Sequence, residues 1–330
     1  MYKYVSLYRQ NAAGQHGKVI GFTILQFILC VILPLGIIFG AMMLPLLLTM
    51  TDISGEAVGV TMGIWMLALM LIFFLVMIFV VYPVMVGILR YFASAYKGID
   101  FSFGEAYKVF KNGNYSKLIK IALLVFVLNF VLSLIIGFIV NLLMTIVFIP
   151  LMPLGMLLEE PNAAMTGTSI ALIAAAAVLF LIVMIVSYIP YIILYIYFAV
   201  VFMVYIDEPK TPTVDKLKVA WNVLFNSDAS MVKLFFSSLL LYILMTVIMF
   251  AVMISIAVAS VFLMDSPALL TVVVITGMII SIIVSIWITY LIIGSIAAYY
   301  FVGRESLDRK NEMHYQESAP VYNDKNPDLQ

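Results

Sequence analysis

Six long runs of this chain contain no charged side chain: residues 19–51, 57–89, 121–158, 161–206, 234–264 and 266–303. A helix crosses the hydrocarbon layer of a bilayer with about 20 apolar residues, and every run is longer than that. Charged residues make up 10% of the chain, against about 25% in a water-soluble domain. A soluble fold has nowhere to hide so much apolar surface. In lipid each backbone amide must find its partner inside the protein, so uncharged runs of this length read as helices. The expectation is an all-α polytopic membrane protein with spans near 19–49, 61–89, 119–149, 168–205, 234–263 and 268–301. Pro34, Pro45, Pro83 and Pro190 fall inside these spans as kink points, and Pro150 and Pro153 close the third. The fourth run is long enough to hold a re-entrant piece. The first is too long for the core of a signal peptide.

Orientation follows from the cations. Lys3, Arg9 and Lys18 precede the first span. Arg90, Lys97, Lys108, Lys111, Lys117 and Lys120 lie between spans two and three. Lys210, Lys216, Lys218 and Lys233 lie between spans four and five, and Arg304, Arg309, Lys310 and Lys325 follow the sixth. These are all 17 Lys and Arg residues of the chain. The remaining loops carry only Asp52, Glu56, Glu159, Glu160 and Asp265. Basic loops stay in the cytoplasm, so six spans with both termini cytoplasmic, in a bacterial plasma membrane, is the expected topology.

The spans pair into three hairpins that start and return on the same side. Each return carries an aromatic signature: Tyr91-Phe92-Ala93, Tyr197-Phe198-Ala199 and Ala298-Tyr299-Tyr300-Phe301. After the first two come Glu105…Lys108-Val109 and Asp215…Lys218-Val219, and then Lys117-Leu118 and Lys233-Leu234 open the next span. Such units are parallel repeats about the membrane normal. Two cytoplasmic amphipathic helices are predicted in the loops. Over 102–112, Ser102 and Glu105 make a capping box, Phe103, Tyr107 and Phe110 share an apolar face opposite Lys108 and Lys111, and Asn112-Gly113 is a stop. Over 212–225, Val214, Leu217, Trp221 and Leu224 lie opposite Asp215, Lys216, Lys218 and Asn222. Phe103, Tyr107, Lys108, Phe110, Lys111, Leu217, Lys218 and Trp221 are therefore the candidate surface for lipid headgroups or a protein partner. The polar segment 304–330 reads as a disordered tail.

Chemistry is hard to place. No ionisable residue sits deep in a span, where intramembrane catalysis or ion coupling would need one. His16 and His314 both flank the spans, and Cys30 stands alone, so no metal cluster is expected near the bilayer centre and no disulfide within the chain. No enzyme activity and no cofactor are expected, and no nucleic-acid partner. Gln26, Asn129 and Asn141 are the strongest polar groups within spans. Gly36 and Gly40 form a G-x-x-x-G, and Gly277, Ser281 and Ser285 a small-residue stripe; both suit close helix packing, within the chain or in a homodimer.

The runs Tyr82-Pro83…Gly87…Tyr91-Phe92…Gly98…Phe101-Ser102…Phe110…Tyr115…Leu118 and Tyr197-Phe198-Ala199…Asp207-Glu208-Pro209…Thr213…Trp221…Lys233-Leu234-Phe235 carry a resemblance. In them the chain resembles a family of bacterial, chiefly Firmicute, integral-membrane proteins without assigned activity. That family is related to the membrane domain of glycerophosphoryl diester phosphodiesterases. Asn226-Ser227-Asp228 departs from the Gly-Lys segment usual there. The resemblance implies a six-helix membrane protein and no catalytic residues. Two functions follow as expectations: handling of, or response to, amphiphiles such as lipid, envelope precursor or membrane-active peptide, including transport or self-protection; or service as a membrane subunit, such as the permease-like partner of a separate ATPase.

Overall fold

The computed structural model describes residues 2–48, 55–107, 114–149, 167–263 and 266–318. Every regular element among them is helical. In chain order these are α1 (Lys3–Asn11), α2 (His16–Leu48), α3 (Gly55–Val76), a π-helical turn (Met77–Val81), α4 (Tyr82–Tyr96), α5 (Phe103–Ala106), α6 (Asn114–Phe148), α7 (Gly167–Asp207), α8 (Thr213–Phe225), α9 (Met231–Phe262) and α10 (Pro267–Ser318). Five segments are long and apolar enough to cross a membrane: Gly59–Tyr96, Asn114–Ile146, Val186–Asp207, Met231–Ser260 and Pro267–Met313. Helix α2 spans 33 residues and is uncharged from Val19 onward. Of the four expected kink points, Pro34, Pro45 and Pro190 lie within unbroken helix, and Pro83 adjoins the π turn. Residues 167–207 form one continuous helix, α7; Pro150 and Pro153 lie outside the described residues.

Helices α4, α7 and α10 touch one another pairwise. Around them, α2 lies against α4 and α10, α6 against α4 and α7, and α9 against α7 and α10. Each of the outer three thus wedges between two of the inner three. Burial is concentrated at the basic end of this bundle. Nearly every residue is buried over 86–95 of α4, 198–205 of α7 and 288–300 of α10. Toward the opposite end large apolar side chains such as Leu67, Phe138, Phe250 and Met278 are exposed on every side. A surface this apolar is tolerable against lipid and not against water.

Local signals at the basic end agree with the fold. Helix α4 ends in a Schellman motif: Gly98 takes φ 70°, its amide donates to Ala95 O at 3.1 Å, and the Ile99 amide donates to Ser94 O at 3.0 Å. Only a residue without Cβ accepts that backbone cheaply. Ser230 caps α9, its Oγ accepting from the Lys233 amide.

The short α1 turns back onto this core. Tyr8 stacks on Phe92 at 5.6 Å and meets Tyr290 edge-on at 5.8 Å. Tyr4 sets its ring edge-on to Tyr299 at 5.2 Å and accepts the Ser230 amide at 2.8 Å. The Tyr8 ring reaches this depth because Gly294 has no side chain; a Cβ there would fall inside contact distance of the ring. Burial pushes the phenols of Tyr4 and Tyr8 above their ordinary range. The small-residue stripe is engaged at Gly277, where a Cβ would come within 2.9 Å of Ile256 Cδ1 on α9, and Ser281 and Ser285 are half-buried. Gly36 and Gly40 are exposed, and a Cβ at either would meet open space among the described residues.

Two expectations are corrected. The polar segment from 304 is not a bare tail: α10 continues helically to Ser318. Arg304 pairs with Glu208 and with Asp308, Lys310 with Asp228 at 2.6 Å, and Ser306 is buried beneath Asp228, whose amide donates to its Oγ at 3.1 Å. Composition alone misses these long-range partners. Residues 319–330 lie outside the description. In α8, Lys216 does not share the outer polar face; it is 2% exposed.

A steric prediction follows from α1. Gly294→Ala should displace Tyr8 and lower unfolding stability in detergent by about 1–3 kcal/mol, the usual cost of overpacking. Gly36→Ala, in open space, should leave it unchanged or raise it. Thermal melts of the two variants beside the wild type check this.

Candidate functional site

The site grows out of one proline. Pro83 has no amide hydrogen, and its ring crowds the carbonyl four residues back, which is Phe79. The helix answers with the π turn at Met77–Val81, and the Tyr115 hydroxyl from α6 donates to the freed Phe79 carbonyl at 2.8 Å. Helix α4 therefore restarts at Tyr82 with a new register, and its first turn stands beside α7, with Tyr82 5.9 Å from the Phe202 ring.

Below this junction lies a cavity of about 230 Å³ bounded by α4, α6, α7 and α10. Its wall is chiefly apolar, including Met85, Leu89, Phe198 and Phe202. The polar groups on it are few: the amide of Asn129 and the phenols of Tyr82, Tyr191 and Tyr195. No hydrogen bond to the Asn129 amide occurs among the described residues. An apolar hollow with a few convergent polar groups is the usual form of a small-molecule site, and an amide facing it invites a ligand that can bond to it.

At the basic end a second recess of about 260 Å³ opens between α4, α7 and α10, lined by Arg90, Ser94, Lys97, Asp207 and Phe301. Lys97 holds Asp207 at 3.0 Å and lies over the Phe301 ring at 4.7 Å. Tyr300 donates to the other oxygen of Asp207 at 3.2 Å. Arg90 rests on the Phe101 ring at 5.5 Å, and no carboxylate among the described residues pairs with it.

The surface residues expected from the sequence are placed differently from this site. Phe103 on α5 stacks on Phe22 at 5.4 Å and on Tyr91 at 5.9 Å. Tyr107 follows α5, half-buried, and its hydroxyl accepts from Gln26 Nε2. Both rings thus touch the α2–α4 packing, while Phe103 remains 47% exposed. Lys108, Phe110 and Lys111 lie outside the described residues, as does the Glu105 side chain of the capping box.

On α8, Lys216, Ala220, Val223 and Leu224 are buried. Leu217 is partly buried against the core and its carbonyl accepts from Tyr197 at 3.3 Å. Lys218 is exposed and pairs with Asp215 at 3.6 Å. Trp221 is 55% exposed and packs on Phe225 at 4.3 Å. The inward face is therefore one step round from the one expected. Small Ala220 lets α8 settle closely, and Lys216 fits inside because its ammonium donates to the Thr211 carbonyl and lies 5.6 Å from the Tyr205 ring centre. Of the polar span residues, Gln26 bonds to Tyr107, Asn141 donates to Gly137 O on its own helix at 2.9 Å, and Asn129 alone lines the cavity; the three do not converge.

Sequence reasoning missed Arg90 and Lys97 as site residues and used them only as topology markers. The available signal was position: Arg90 directly follows the last residue of an uncharged run and sits two turns before Lys97.

Burial holds the Lys216 ammonium below its ordinary value of 10.5, helped by the Lys117 charge and opposed by Glu208. The unfolded chain therefore binds that proton more tightly, and the cost of carrying it inside is relieved as pH rises toward 10.5. Stability of α8 docking should accordingly increase with pH in the window just below 10.5, and Lys216→Met should flatten that slope. Melting temperatures across this alkaline range, wild type against variant, test it. Separately, Tyr115→Phe should cost about 1 kcal/mol by stranding the Phe79 carbonyl.

Compared with known proteins, the chain matches no family model, no curated protein and no solved structure.

Proposed function

We propose that this is a six-span protein of the bacterial plasma membrane, with both termini cytoplasmic, that binds a membrane amphiphile between α4 and α7 and performs no covalent chemistry on it. The observation that carries the reading is the cavity of about 230 Å³, apolar but for Asn129 and three phenols, at the edge of the densely buried stretches of α4, α7 and α10. Pockets for drug-sized ligands run to roughly 300–1,000 Å³; this one suits a chain or a ring of a larger molecule whose remainder lies in the bilayer. In the six-span reading α2 is the first span. Support for it is the wedged placement of α2, which matches that of α6 and α9, as three parallel hairpin repeats would require. The cation distribution supports the orientation.

Two measurements test these statements. Ala199→Trp fills the cavity, whereas Phe250→Trp alters only an exposed apolar position. Native mass spectrometry of lipids retained through purification should show an about tenfold loss for the first (about 1.4 kcal/mol of binding) and none for the second. Equal retention by both would sink the cavity reading. For topology, single cysteines at Lys210 and Ala268 in a Cys30→Ser background should react with an impermeant maleimide on intact cells at Ala268 alone. Labelling at Lys210 would reverse the orientation.

A further inference from the structure

The cavity and the basic recess follow one another along α4, α7 and α10, with no lining residue in common. Leu89 lines the first and Arg90, the next residue of α4, lines the second; on α7 the same handover occurs from Phe202 to Met203. Helix α10 contributes Ile293 to the cavity and Phe301 to the recess. An apolar hollow and a charged one thus lie at successive levels of the same three helices, in the order in which a lipid presents its tail and head.

The charges in the recess are unequal. Lys97 is engaged with Asp207, which leaves the Arg90 guanidinium without a carboxylate among the described residues, so the lining residues carry one net positive charge. A guanidinium offers a planar fork of donors that matches phosphate oxygens, and flanking rings such as Phe101 and Phe301 lower the local dielectric and strengthen that contact. One net positive charge complements a phosphodiester, which bears one negative charge. It does not complement a cationic membrane-active peptide, and the neighbouring Lys97 repels the cationic end of a zwitterionic headgroup.

We propose that the two hollows form one site for a net-anionic phosphodiester lipid, with an acyl chain in the α4–α7 cavity and the phosphate on Arg90. This rests on the reading that the cavity holds an amphiphile. Arg90 confers the headgroup preference, and Lys97 and Asp207 set the charge balance.

The full chain in detergent is titrated with phosphatidylglycerol and, separately, with phosphatidylcholine of identical chains, and bound lipid is counted by native mass spectrometry. Wild type should retain phosphatidylglycerol at least about tenfold better, as expected for one charge-assisted contact. Arg90→Gln should bring that ratio close to one, and Arg90→Lys should restore part of it. Ala199→Trp should reduce both lipids alike. Equal retention of the two lipids by the wild type overturns the proposal, whatever the variants do. So does an unchanged ratio in Arg90→Gln; if Ala199→Trp still loses lipid in that case, the cavity reading stands and only the headgroup assignment falls. Undiminished retention of both lipids by Ala199→Trp removes the cavity reading and this proposal with it.

Discussion

Everything described here leans on the mutual packing of α4, α7 and α10 at the basic end of the bundle. In lipid there is no hydrophobic drive to bring helices together, since lipid tails are as apolar as leucine; close packing and interhelical hydrogen bonds must do it. The chain meets that demand with rings at one level: Phe22 against Tyr91 at 4.6 Å, Tyr96 against Phe301 at 5.1 Å, Tyr8 against Phe92. Tyrosine suits the position because its body packs in the apolar layer while its hydroxyl reaches a carbonyl or carboxylate at the boundary. Tyr299 donates to Leu224 O at 2.9 Å and so binds α8 to α10. The aromatic signature at the end of each returning span is therefore the packing layer itself.

The same layer explains why a cavity can exist. A void costs stability where the surroundings could collapse into it, and here they cannot. Pro83 forces the π turn, Tyr115 ties the turn to α6, and the rings below hold α4, α7 and α10 in place. The hollow is what remains between fixed walls. Its neighbour, the Arg90–Lys97 recess, inherits its shape from the Schellman stop at Gly98, which turns the chain so that Phe101 comes under Arg90.

Much of the helical layout was legible in advance, because the uncharged runs and the total segregation of Lys and Arg are properties of composition along the chain. The aromatic signatures were legible as a recurrence, but not that Tyr91, Phe92, Phe198, Tyr299 and Tyr300 are buried while Tyr197 and Phe301 are only partly so. Lys216 was not legible: its sequence neighbours suggest a solvated face, and its burial depends on the Thr211 carbonyl and the Tyr205 ring, which folding brings to it. The extension of α10 to Ser318 was hidden for the same reason, since Glu208 and Asp228 lie far from Arg304 and Lys310 in the chain. Asn129 was visible as a polar residue in a span, but not that it faces a hollow while Asn141 bonds its own helix.

By itself, then, the sequence determined that the chain is helical, that its helices are long and apolar enough to cross a membrane, and that Lys and Arg are confined to alternate loops and the termini; these are sums over residues and need no partners. The tertiary structure alone decided which residues share a wall. It set Arg90 beside the cavity that ends at Leu89, left that guanidinium without a carboxylate among the described residues, and gave Lys97 to Asp207 instead. Which charges meet is a matter of distance across helices, and that distance is fixed only when α4, α7 and α10 have packed.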